Sequence, residues 1–474
     1  MPPRARTKIV ATLGPASSSE EMIAGLAKAG VSVFRINMAH GTFEEHSAQV
    51  QHIRQVSRTL GMALGIHVDL AGPKIRLGEL AGGEMDLAAG QEIRIARIPT
   101  PGRTDELTTT YLPLVDELCV GDRVMLADAT VGLVVESQGD GFDICRVTNP
   151  GLIRSRQGVN LPGAKLSLKA LGEADRRAAK WAIEAGVDFV GLSFVRSPAD
   201  VLELKQLLRD GGSRARVIAK IEKPEALVQL AEIVAAADGV MVARGDLGAE
   251  IDLAEVPLAQ KRIIAECNRQ QRPVIVATQM LESMQRSRWP TRAEVADVAN
   301  AVLDGCDACM LSGETAIGQY PCEAVAIMNR VALATEARFR ELPSPPHPEG
   351  TADGVKHITH AVVLGAERIA RQLSAKLLVV VSRSGATALA MSKRRGYTPV
   401  VGLSGDEVTL RQMCLFWGVT PLSGAPVDDL AATKDYVHGW AARGGLIATG
   451  DCVVLVAGTG VATGSHNLVE VHQV

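Results

Sequence analysis

Short apolar runs alternate with helical patterns along most of this sequence, and this alternation restricts the fold more than any other feature. Three strand-like runs come first, at residues 8–14, 31–37 and 65–69. Five more follow after a long interval, at residues 188–192, 216–220, 239–243, 274–277 and 308–311. Runs that are apolar throughout predict parallel strands buried on both faces. Eight such strands with helices between them predict an α/β fold, a closed (β/α)8 TIM barrel.

The interval between the third and fourth strands, residues 70–168, has a different pattern. Short alternating runs at residues 92–98, 123–126, 131–136 and 142–147 lie between Gly, Asp and Pro, without a convincing helix. They predict an inserted all-β domain of roughly a hundred residues, placed like a lid on the barrel. The barrel itself would then consist of residues 1–69 and 169–342.

A proline-rich linker at residues 343–350 is predicted to separate the barrel from a C-terminal domain, residues 351–474. Five strands are expected there, at residues 377–381, 399–402, 419–422, 453–456 and 468–471. Helical patterns separate all of them except the last two, which is typical of an open α/β sheet.

Composition and charge make several kinds of partner unexpected. The 474-residue chain has a formal net charge of −3 and no basic tail, so we expect neither nucleic acid nor a membrane as a partner. No N-terminal apolar leader and no apolar run of bilayer length is present in the sequence. The eight cysteines are scattered, which is typical of a reduced protein, and we expect a cytoplasmic location.

Charged and hydroxyl side chains collect where the predicted barrel strands end, and barrel active sites lie at the carboxyl ends of the strands. These ends carry Arg35, Asn37, Asp69, Lys220, Glu222, Gly245, Asp246, Thr278, Ser312 and Glu314, with Lys74 and Arg76 beyond the third strand. Any one of them could be a helix cap or part of a surface salt bridge. Together, at one mouth, they indicate an active site.

The residue types predict a site for a small anion. The carboxylates of Glu222 and Asp246, from adjacent strands, could hold Mg²⁺ and leave positions open for substrate oxygens. Lys220 and Arg35 supply positive charge for a phosphoryl group in transfer. Backbone amides at Gly245 and Asp246 could hold a carboxylate. Because the sequence has no Walker A segment, a nucleotide would have to bind at the barrel mouth and the lid.

Several longer segments resemble the pyruvate kinase family. They are KIVATLGPAS at 8–17, FRINMAHG at 34–41, GVNLPG at 158–163, IAKIE at 218–222, MVARGDLGAEI at 241–251, ATQMLESM at 277–284 and MLSGET at 310–315. The resemblance covers nearly the whole chain, including the order of the domains. It implies that the protein transfers the phosphoryl group of phosphoenolpyruvate to ADP, giving pyruvate and ATP, and that it forms a homotetramer.

The resemblance also implies roles for individual residues. Glu222 and Asp246 would bind Mg²⁺ or Mn²⁺. The substrate would be held by Arg35, Lys220, Ala243, Arg244, Gly245, Asp246 and Thr278, and enolate protonation would involve Thr278, Ser312 and Glu314. Nucleotide phosphates would face Asn37, His40, Arg76 and Arg156. Asp128 resembles an acid that meets the reacting centre on lid closure, although Ala127 stands where a second Asp is usual.

A second anion site is expected in the C-terminal domain. The strand at 377–381 runs into a helix start that carries Ser382, Arg383, Ser384, Gly385 and Thr387, which could surround a phosphate. The alternative is an ordinary turn rich in helix-capping residues. The family places an allosteric sugar phosphate there. The loop at 458–467 lacks the Trp and Arg of members that respond to fructose bisphosphate, which favours a sugar monophosphate, such as ribose 5-phosphate, or AMP.

Many members of the family need K⁺, and this sequence departs from their pattern. Asn37 and Asp69 retain two of the usual ligands, but Ala39 and Leu70 replace the usual Ser and Thr. Lys74 stands where K⁺-dependent members carry Glu, and its ammonium is expected to replace the ion near Asp69. The alternative is that Lys74 only extends into solvent. We therefore expect activity without K⁺.

Two other functions are compatible with parts of this site. A Mg²⁺-dependent lyase or aldolase that handles pyruvate enolate would share Glu222, Asp246 and the carboxylate site, but would not need Lys220, Thr278 or the lid. An inactive sugar-phosphate sensor is the other alternative, although every position that matches the family's catalytic motifs is filled.

Overall fold

The structure is a computed structural model that describes residues 4–101, 103–127, 130–164, 166–338, 357–457 and 468–474. The first strands are β1 (Lys8–Thr12), β2 (Val31–Asn37) and β3 (Gly65–Asp69). The insertion contains β4 (Glu84–Leu87), β5 (Glu92–Ala96), β6 (Glu106–Thr108), β7 (Arg123–Leu126), β8 (Val131–Gly139), β9 (Phe142–Asn149), β10 (Gly151–Arg154) and β11 (Val159–Asn160). Next come β12 (Phe189–Leu192), β13 (Arg216–Ile221), β14 (Gly239–Ala243), β15 (Val274–Ala277) and β16 (Ala308–Leu311). The C-terminal strands are β17 (Leu377–Val381), β18 (Val400–Leu403), β19 (Val419–Pro421), β20 (Cys452–Ala457) and β21 (Leu468–Gln473).

Helices connect most of these strands. Up to β16 they are α1 (Glu20–Ala29), α2 (Phe43–Leu60), α3 (Leu114–Glu117), α4 (Glu173–Glu184), α5 (Pro198–Asp210), α6 (Pro224–Val228), α7 (Leu230–Ala236), α8 (Arg244–Gly248), α9 (Val256–Arg269) and α10 (Arg292–Leu303), with a 3-10 turn at Glu282–Gln285. After β16 they are α11 (Gly313–Ala316), α12 (Pro321–Arg338), α13 (His357–Gln372), α14 (Ala386–Lys393), α15 (Glu407–Met413) and α16 (Leu430–Arg443). In the described residues, no helix combines the length and the apolar character that crossing a bilayer requires.

The eight predicted strands close into a parallel barrel in the order β1-β2-β3-β12-β13-β14-β15-β16. Every residue of β1, β3, β14, β15 and β16 is buried. This explains their continuous apolar runs, because helices cover the outside of the barrel and side chains fill its interior. The predicted (β/α)8 barrel is confirmed.

The insertion folds on its own core, as the alternating pattern predicted. Its larger sheet has six strands in the order β11-β7-β8-β9-β5-β6, and β10 pairs with β4 in a second, two-stranded sheet. Side chains such as Leu107, Leu126 and Cys145 form a cluster separate from the barrel core. The insertion also contains the four-residue helix α3, which sequence analysis missed because a single turn is too short to show a helical period.

The C-terminal domain is an open five-stranded sheet in the order β19-β18-β17-β20-β21. Among the strand pairs of the described residues in this sheet, only β20–β21 is antiparallel, which is compatible with the absence of a helical pattern between the last two predicted strands. The domain docks on the amino-terminal end of the barrel strands, where Asp188 and Asp307 are fully buried. Asp188 Oδ1 accepts from Arg411 Nε at 2.7 Å, and Asp307 Oδ2 lies 2.6 Å from Lys393 Nζ. The opposite end of the barrel is thereby left to face the lid.

Candidate active site

Charged side chains from three barrel strands meet at the carboxyl end of the barrel. Arg35 on β2 donates two hydrogen bonds to Asp69 Oδ2 on β3, from Nε at 2.9 Å and from Nη2 at 2.5 Å. Lys220 Nζ on β13 lies 3.2 Å from Asp69 Oδ2 and 2.9 Å from Oε1 of Glu222. Lys220 is 8% exposed, and Asp69 and Glu222 are each 1% exposed, so water screens these charges little. The structure therefore brings four predicted site residues together.

Their proximity sets the protonation states. Burial alone lowers the pKa of the Lys220 ammonium, but Asp69 and Glu222 outweigh burial and raise that pKa overall. Burial alone would raise the pKa of Asp69, whereas Lys220 and Arg35 hold it well below its usual range. At Glu222, burial and the nearby charge of Asp246 raise the pKa despite the opposing effect of Lys220. The cluster is therefore built to keep Lys220 charged.

Sequence analysis missed two residues of this cluster, Ser193 and Phe194, which follow β12. Ser193 Oγ accepts from Lys220 Nζ at 2.7 Å and donates to the Leu70 carbonyl at 2.7 Å. The Phe194 amide donates to Glu222 Oε2 at 2.7 Å. Their position directly after the fourth barrel strand could have identified them, because this is the one strand end without a predicted site residue among β2, β3 and β12–β16. They fix the positions of the Lys220 ammonium and the Glu222 carboxylate.

Glu222 and Asp246 fit a divalent metal. Glu222 Oε1 is buried and has no hydrogen-bond partner within the described ranges, although Lys220 lies beside it. Asp246, in the short helix α8 after β14, is near enough to raise the pKa of Glu222 and is only partly buried. Two carboxylates beside an opening suit Mg²⁺ or Mn²⁺, which prefer oxygen ligands and retain water or substrate oxygens.

The loop after β15 holds Thr278 in an unusual conformation. Thr278 has φ of 68°, which is rare and strained for a β-branched residue. Gln279 also has a positive φ, of 54°, which is uncommon but less strained because its side chain is not β-branched. Thr278 Oγ1 accepts from the Gly245 amide at 2.8 Å and donates to the Ala277 carbonyl at 2.6 Å. The hydroxyl thus links the loops after β14 and β15.

Arg244, a predicted substrate contact, is directed towards this loop. Its Nη2 donates to the Thr278 carbonyl at 2.6 Å, and its Nη1 donates to Asp297 Oδ1 at 2.7 Å. Ala243, the last residue of β14, is buried and immediately precedes α8. Arg244 therefore supports the conformation of Thr278. Gly245 and Asp246 follow Arg244 in the first turn of α8.

Glu314 is buried behind the loops that carry Thr278 and Ser312. Its carboxylate accepts from the Ser312 amide at 2.7 Å and from the Leu281 amide at 3.0 Å. Burial raises the pKa of Glu314. Ser312 Oγ is buried, and the described part of the chain offers it no hydrogen-bond partner. Glu314 thus ties the loop after β15 to the loop after β16.

The four predicted nucleotide contacts form two separate pairs. In the lid, Arg76 Nη1 donates to the Arg156 carbonyl at 3.2 Å, and the exposed Arg156 pairs with Glu79 at 2.5 Å. On the barrel, Asn37 Oδ1 accepts from the Ala39 amide at 3.2 Å, and His40 is exposed. Among the residues that the structure describes, no hydrogen bond or ion pair joins the two pairs.

Lys74 forms no ion pair with Asp69 in the described residues. Arg35 and Lys220 contact Asp69, whereas no ion pair within 4 Å joins Lys74 to Asp69 in the described structure. Lys74 is exposed and lines a narrow cleft between lid and barrel, together with Asp246. Arg35 on β2 and Lys220 on β13 lie directly at the mouth of the barrel. Lys74 lies beyond the end of β3, where the chain leaves the barrel and enters the lid.

The predicted effector segment forms a turn held by its backbone. Gly385 has φ of 79°, a left-handed conformation that suits glycine, and α14 begins directly after it. The Ser384 carbonyl accepts from Arg216 Nη2 at 3.2 Å, and the Arg383 carbonyl accepts from Thr409 Oγ1 at 3.1 Å. Arg383 and Ser384 are exposed, whereas Ser382 and Thr387 are buried. Asp128, the linker and the loop at 458–467 lie outside the described residues.

Comparison with known proteins agrees with this architecture. A family model described as "Pyruvate kinase, barrel domain" matches residues 4–325, and "Pyruvate kinase, alpha/beta domain" matches residues 360–472. The chain belongs to the pyruvate kinase family.

Full-length relatives carry the same name. A pyruvate kinase of Mycobacterium intracellulare is 43% identical over 471 residues, which cover 99% of this chain and 98% of the relative. One from Geobacillus stearothermophilus is 40% identical over 473 residues, covering 98% of this chain and 80% of the relative. The crystal structure of a pyruvate kinase from Cryptosporidium parvum superposes with a TM-score of 0.90 at 34% identity, covering 99% of this chain and 96% of the other. The protein is thus a phosphotransferase, and no comparison favours a lyase or a sensor.

Proposed function

We propose that this pyruvate kinase transfers the phosphoryl group of phosphoenolpyruvate to ADP through the cluster of Arg35, Asp69, Lys220 and Glu222. The observation that carries the proposal is the position of the Lys220 ammonium, buried at the barrel mouth between two carboxylates. Such an ammonium supplies fixed positive charge where water is scarce, which stabilises charge on a phosphoryl group in transfer.

Each side chain of the cluster then has a distinct task. Lys220 would stabilise the phosphoryl group, and Arg35 would assist it while remaining oriented by Asp69. Glu222 and Asp246 would hold Mg²⁺ or Mn²⁺, which neutralises negative charge on the substrate when it is bound. Ser193 would keep the Lys220 ammonium in place, since it accepts a hydrogen bond from Nζ.

The carboxylate of phosphoenolpyruvate would bind at the start of α8, where Gly245 and Asp246 follow Ala243 and Arg244. Thr278 would lie beside the methylene carbon of the enolate that remains after transfer. Ser312 and Glu314 would complete the path of the proton that converts enolpyruvate to pyruvate. Support for this path comes from the buried, unpartnered Ser312 hydroxyl and from the raised pKa of Glu314.

ADP and ATP would bind between the barrel mouth and the lid. Asn37 and His40 would approach the phosphates from the barrel, and Arg76 and Arg156 from the lid. Lid closure would bring the two pairs together and exclude water. In this proposal the lid comprises residues 70–168, between barrel parts at 1–69 and 169–342, and the linker at 343–350 leads to the effector domain at 351–474.

The enzyme would work without K⁺. Asp69 Oδ2 is already engaged by Arg35 and Lys220, which leaves Oδ1 as the oxygen of that carboxylate without a hydrogen-bond partner in the described residues. Ala39 and Leu70 have no side-chain oxygen to offer. Lys74, in the cleft beside Asp246, adds a positive charge near the path of the substrate phosphate.

The segment Ser382, Arg383, Ser384, Gly385 and Thr387 would bind a sugar monophosphate or AMP as an allosteric effector. The exposed Arg383 and the left-handed turn at Gly385, at the start of α14, support this role. We further propose a cytoplasmic homotetramer.

A coupled assay tests the proposed reaction directly. With phosphoenolpyruvate, ADP and MgCl₂, added lactate dehydrogenase should oxidise NADH as pyruvate forms. Omitting ADP should stop the reaction, and omitting the divalent metal should do the same. Pyruvate formation without ADP would contradict phosphoryl transfer as the function.

A further inference from the structure

A cavity of about 500 Å³ lies in the C-terminal domain, away from both the active site and the effector segment. It is lined by the end of α13, the starts of β17 and β18, and Arg6 from the first segment of the barrel. It therefore lies at the amino-terminal end of the sheet, whereas residues 382–387 follow the carboxyl end of β17. Its volume is within the range of small-molecule binding sites.

Positive charge prevails in the lining. Arg6, Arg371 and Lys376 all contribute to it. Arg371 and Lys376 are exposed, and neither forms an ion pair with another residue that the structure describes. The acidic side chain in the lining is Glu367, which also faces Arg394. Burial lowers the pKa of the Arg394 guanidinium overall, Glu367 opposes that shift and Arg371 adds to it. Two cations therefore remain available for an anion.

A buried hydroxyl also lines the cavity. Ser392 on α14 is 2% exposed, and its Oγ has no hydrogen-bond partner in the described residues. Buried polar groups without a partner are uncommon because the lost hydration is not replaced. Nearby, the largely buried Trp417 and the half-buried Tyr397 add ring surface to the wall. The cavity thus offers charge, one unsatisfied polar atom and an apolar surface.

We infer that this cavity binds a small organic anion. Its phosphate or carboxylate lies between Arg371 and Lys376, and a hydroxyl or carbonyl group of its body bonds to Ser392. Charge-assisted hydrogen bonds of this kind are stronger than neutral ones. Arg6 Nη1 donates to the Gly396 carbonyl at 2.6 Å, so the ligand contacts a residue that already joins the barrel to the C-terminal domain.

Tryptophan fluorescence tests the inference, because Trp417 is in the wall of the cavity. The probes are glycerol 3-phosphate and glycerate, a phosphate ester and a carboxylate with similar polyol bodies. Either should change the emission of the full-length protein, and the tighter probe identifies the preferred anion. Trp417→Phe should remove the change, and Ser384→Glu should leave it intact, since that residue belongs to the effector segment.

Matched variants locate the anion. Arg371→Ala combined with Lys376→Ala should weaken binding by about tenfold or more. Ser392→Ala should weaken it by about fivefold. Arg368→Ala, an exposed arginine on the same helix outside the cavity, should leave affinity unchanged. The inference would be overturned if the double variant bound the probes as tightly as the parent protein does. It would also be overturned if neither probe caused an emission change that depends on Trp417.

Discussion

Replacement of Lys220 by methionine tests the proposed mechanism most directly. Methionine keeps most of the length and apolar surface of the side chain but removes the ammonium. That ammonium makes three contacts, at 2.7 Å to Ser193, 2.9 Å to Glu222 and 3.2 Å to Asp69. The variant therefore leaves the mouth of the barrel with one fewer positive charge and with a net excess of carboxylates.

The expected loss can be estimated from comparable sites. Removal of a single preorganised donor that faces developing charge costs about 3 to 4 kcal/mol, which is a rate loss of about 10² to 10³. Lys220 carries a full charge and is 8% exposed, so the loss should reach at least the upper end of that range. Protonation of enolpyruvate should persist, because no phosphoryl group is present in that step.

Lys393→Met provides the matched control. Lys393 is also buried and lies 2.6 Å from an aspartate, Asp307, but at the opposite end of the barrel. Breaking either buried pair should cost stability, about 3 to 5 kcal/mol. Only Lys220→Met should lose phosphoryl transfer.

Single-turnover transfer, measured by rapid quench below the unfolding temperature of both variants, separates these effects. Exchange of solvent tritium into pyruvate measures the protonation step in the same preparations. If Lys220→Met transfers the phosphoryl group within tenfold of the parent rate, Lys220 does not stabilise the group in transfer and the proposal fails.

Four further results are expected. Thr278→Ala should slow tritium exchange into pyruvate more than phosphoryl transfer, since we propose that its hydroxyl lies beside the enolate. Turnover in tetramethylammonium chloride should equal turnover in KCl at matched ionic strength, and Lys74→Glu should lower activity. Ser384→Glu should abolish activation by ribose 5-phosphate without changing unactivated turnover, because its carboxylate would occupy the anion site. The free energy of unfolding of the parent minus that of Lys393→Met should rise with pH from about 8 until the unfolded chain loses the same proton near its ordinary pKa of 10.5, because burial lowers the pKa of Lys393 to about 8 and the unfolded chain binds more protons in that window.

Each of these predictions would be contradicted by a specific outcome. Equal losses of exchange and transfer in Thr278→Ala would make Thr278 a positioning residue. Strong stimulation by KCl would mean that the enzyme uses the ion after all. Full activation of Ser384→Glu by ribose 5-phosphate would place the effector elsewhere. If the difference in free energy of unfolding between parent and Lys393→Met does not change with pH, Lys393 is not the source of the pH dependence.

The sequence by itself determined the architecture and the location of the site. All eight barrel strands were predicted within a few residues of their observed bounds, because buried parallel strands need continuous apolar runs. Closure of a parallel barrel then places every strand's carboxyl end at one mouth, so strand order alone predicted the neighbourhood of Arg35, Lys220 and Glu222. The segments that resemble the family were not needed for that step, although they supplied the family.

Only the tertiary structure decided which groups pair within that neighbourhood. Ser193 and Phe194 orient Lys220 and Glu222, Arg244 turns to support Thr278, and Lys74 lies in the lid cleft away from Asp69. These partners are far apart in the sequence, such as Arg244 and Thr278 at a separation of 34 residues. Periodicity reports which face of an element is buried, but a hydrogen bond depends on distances and angles set by the packing of several elements at once.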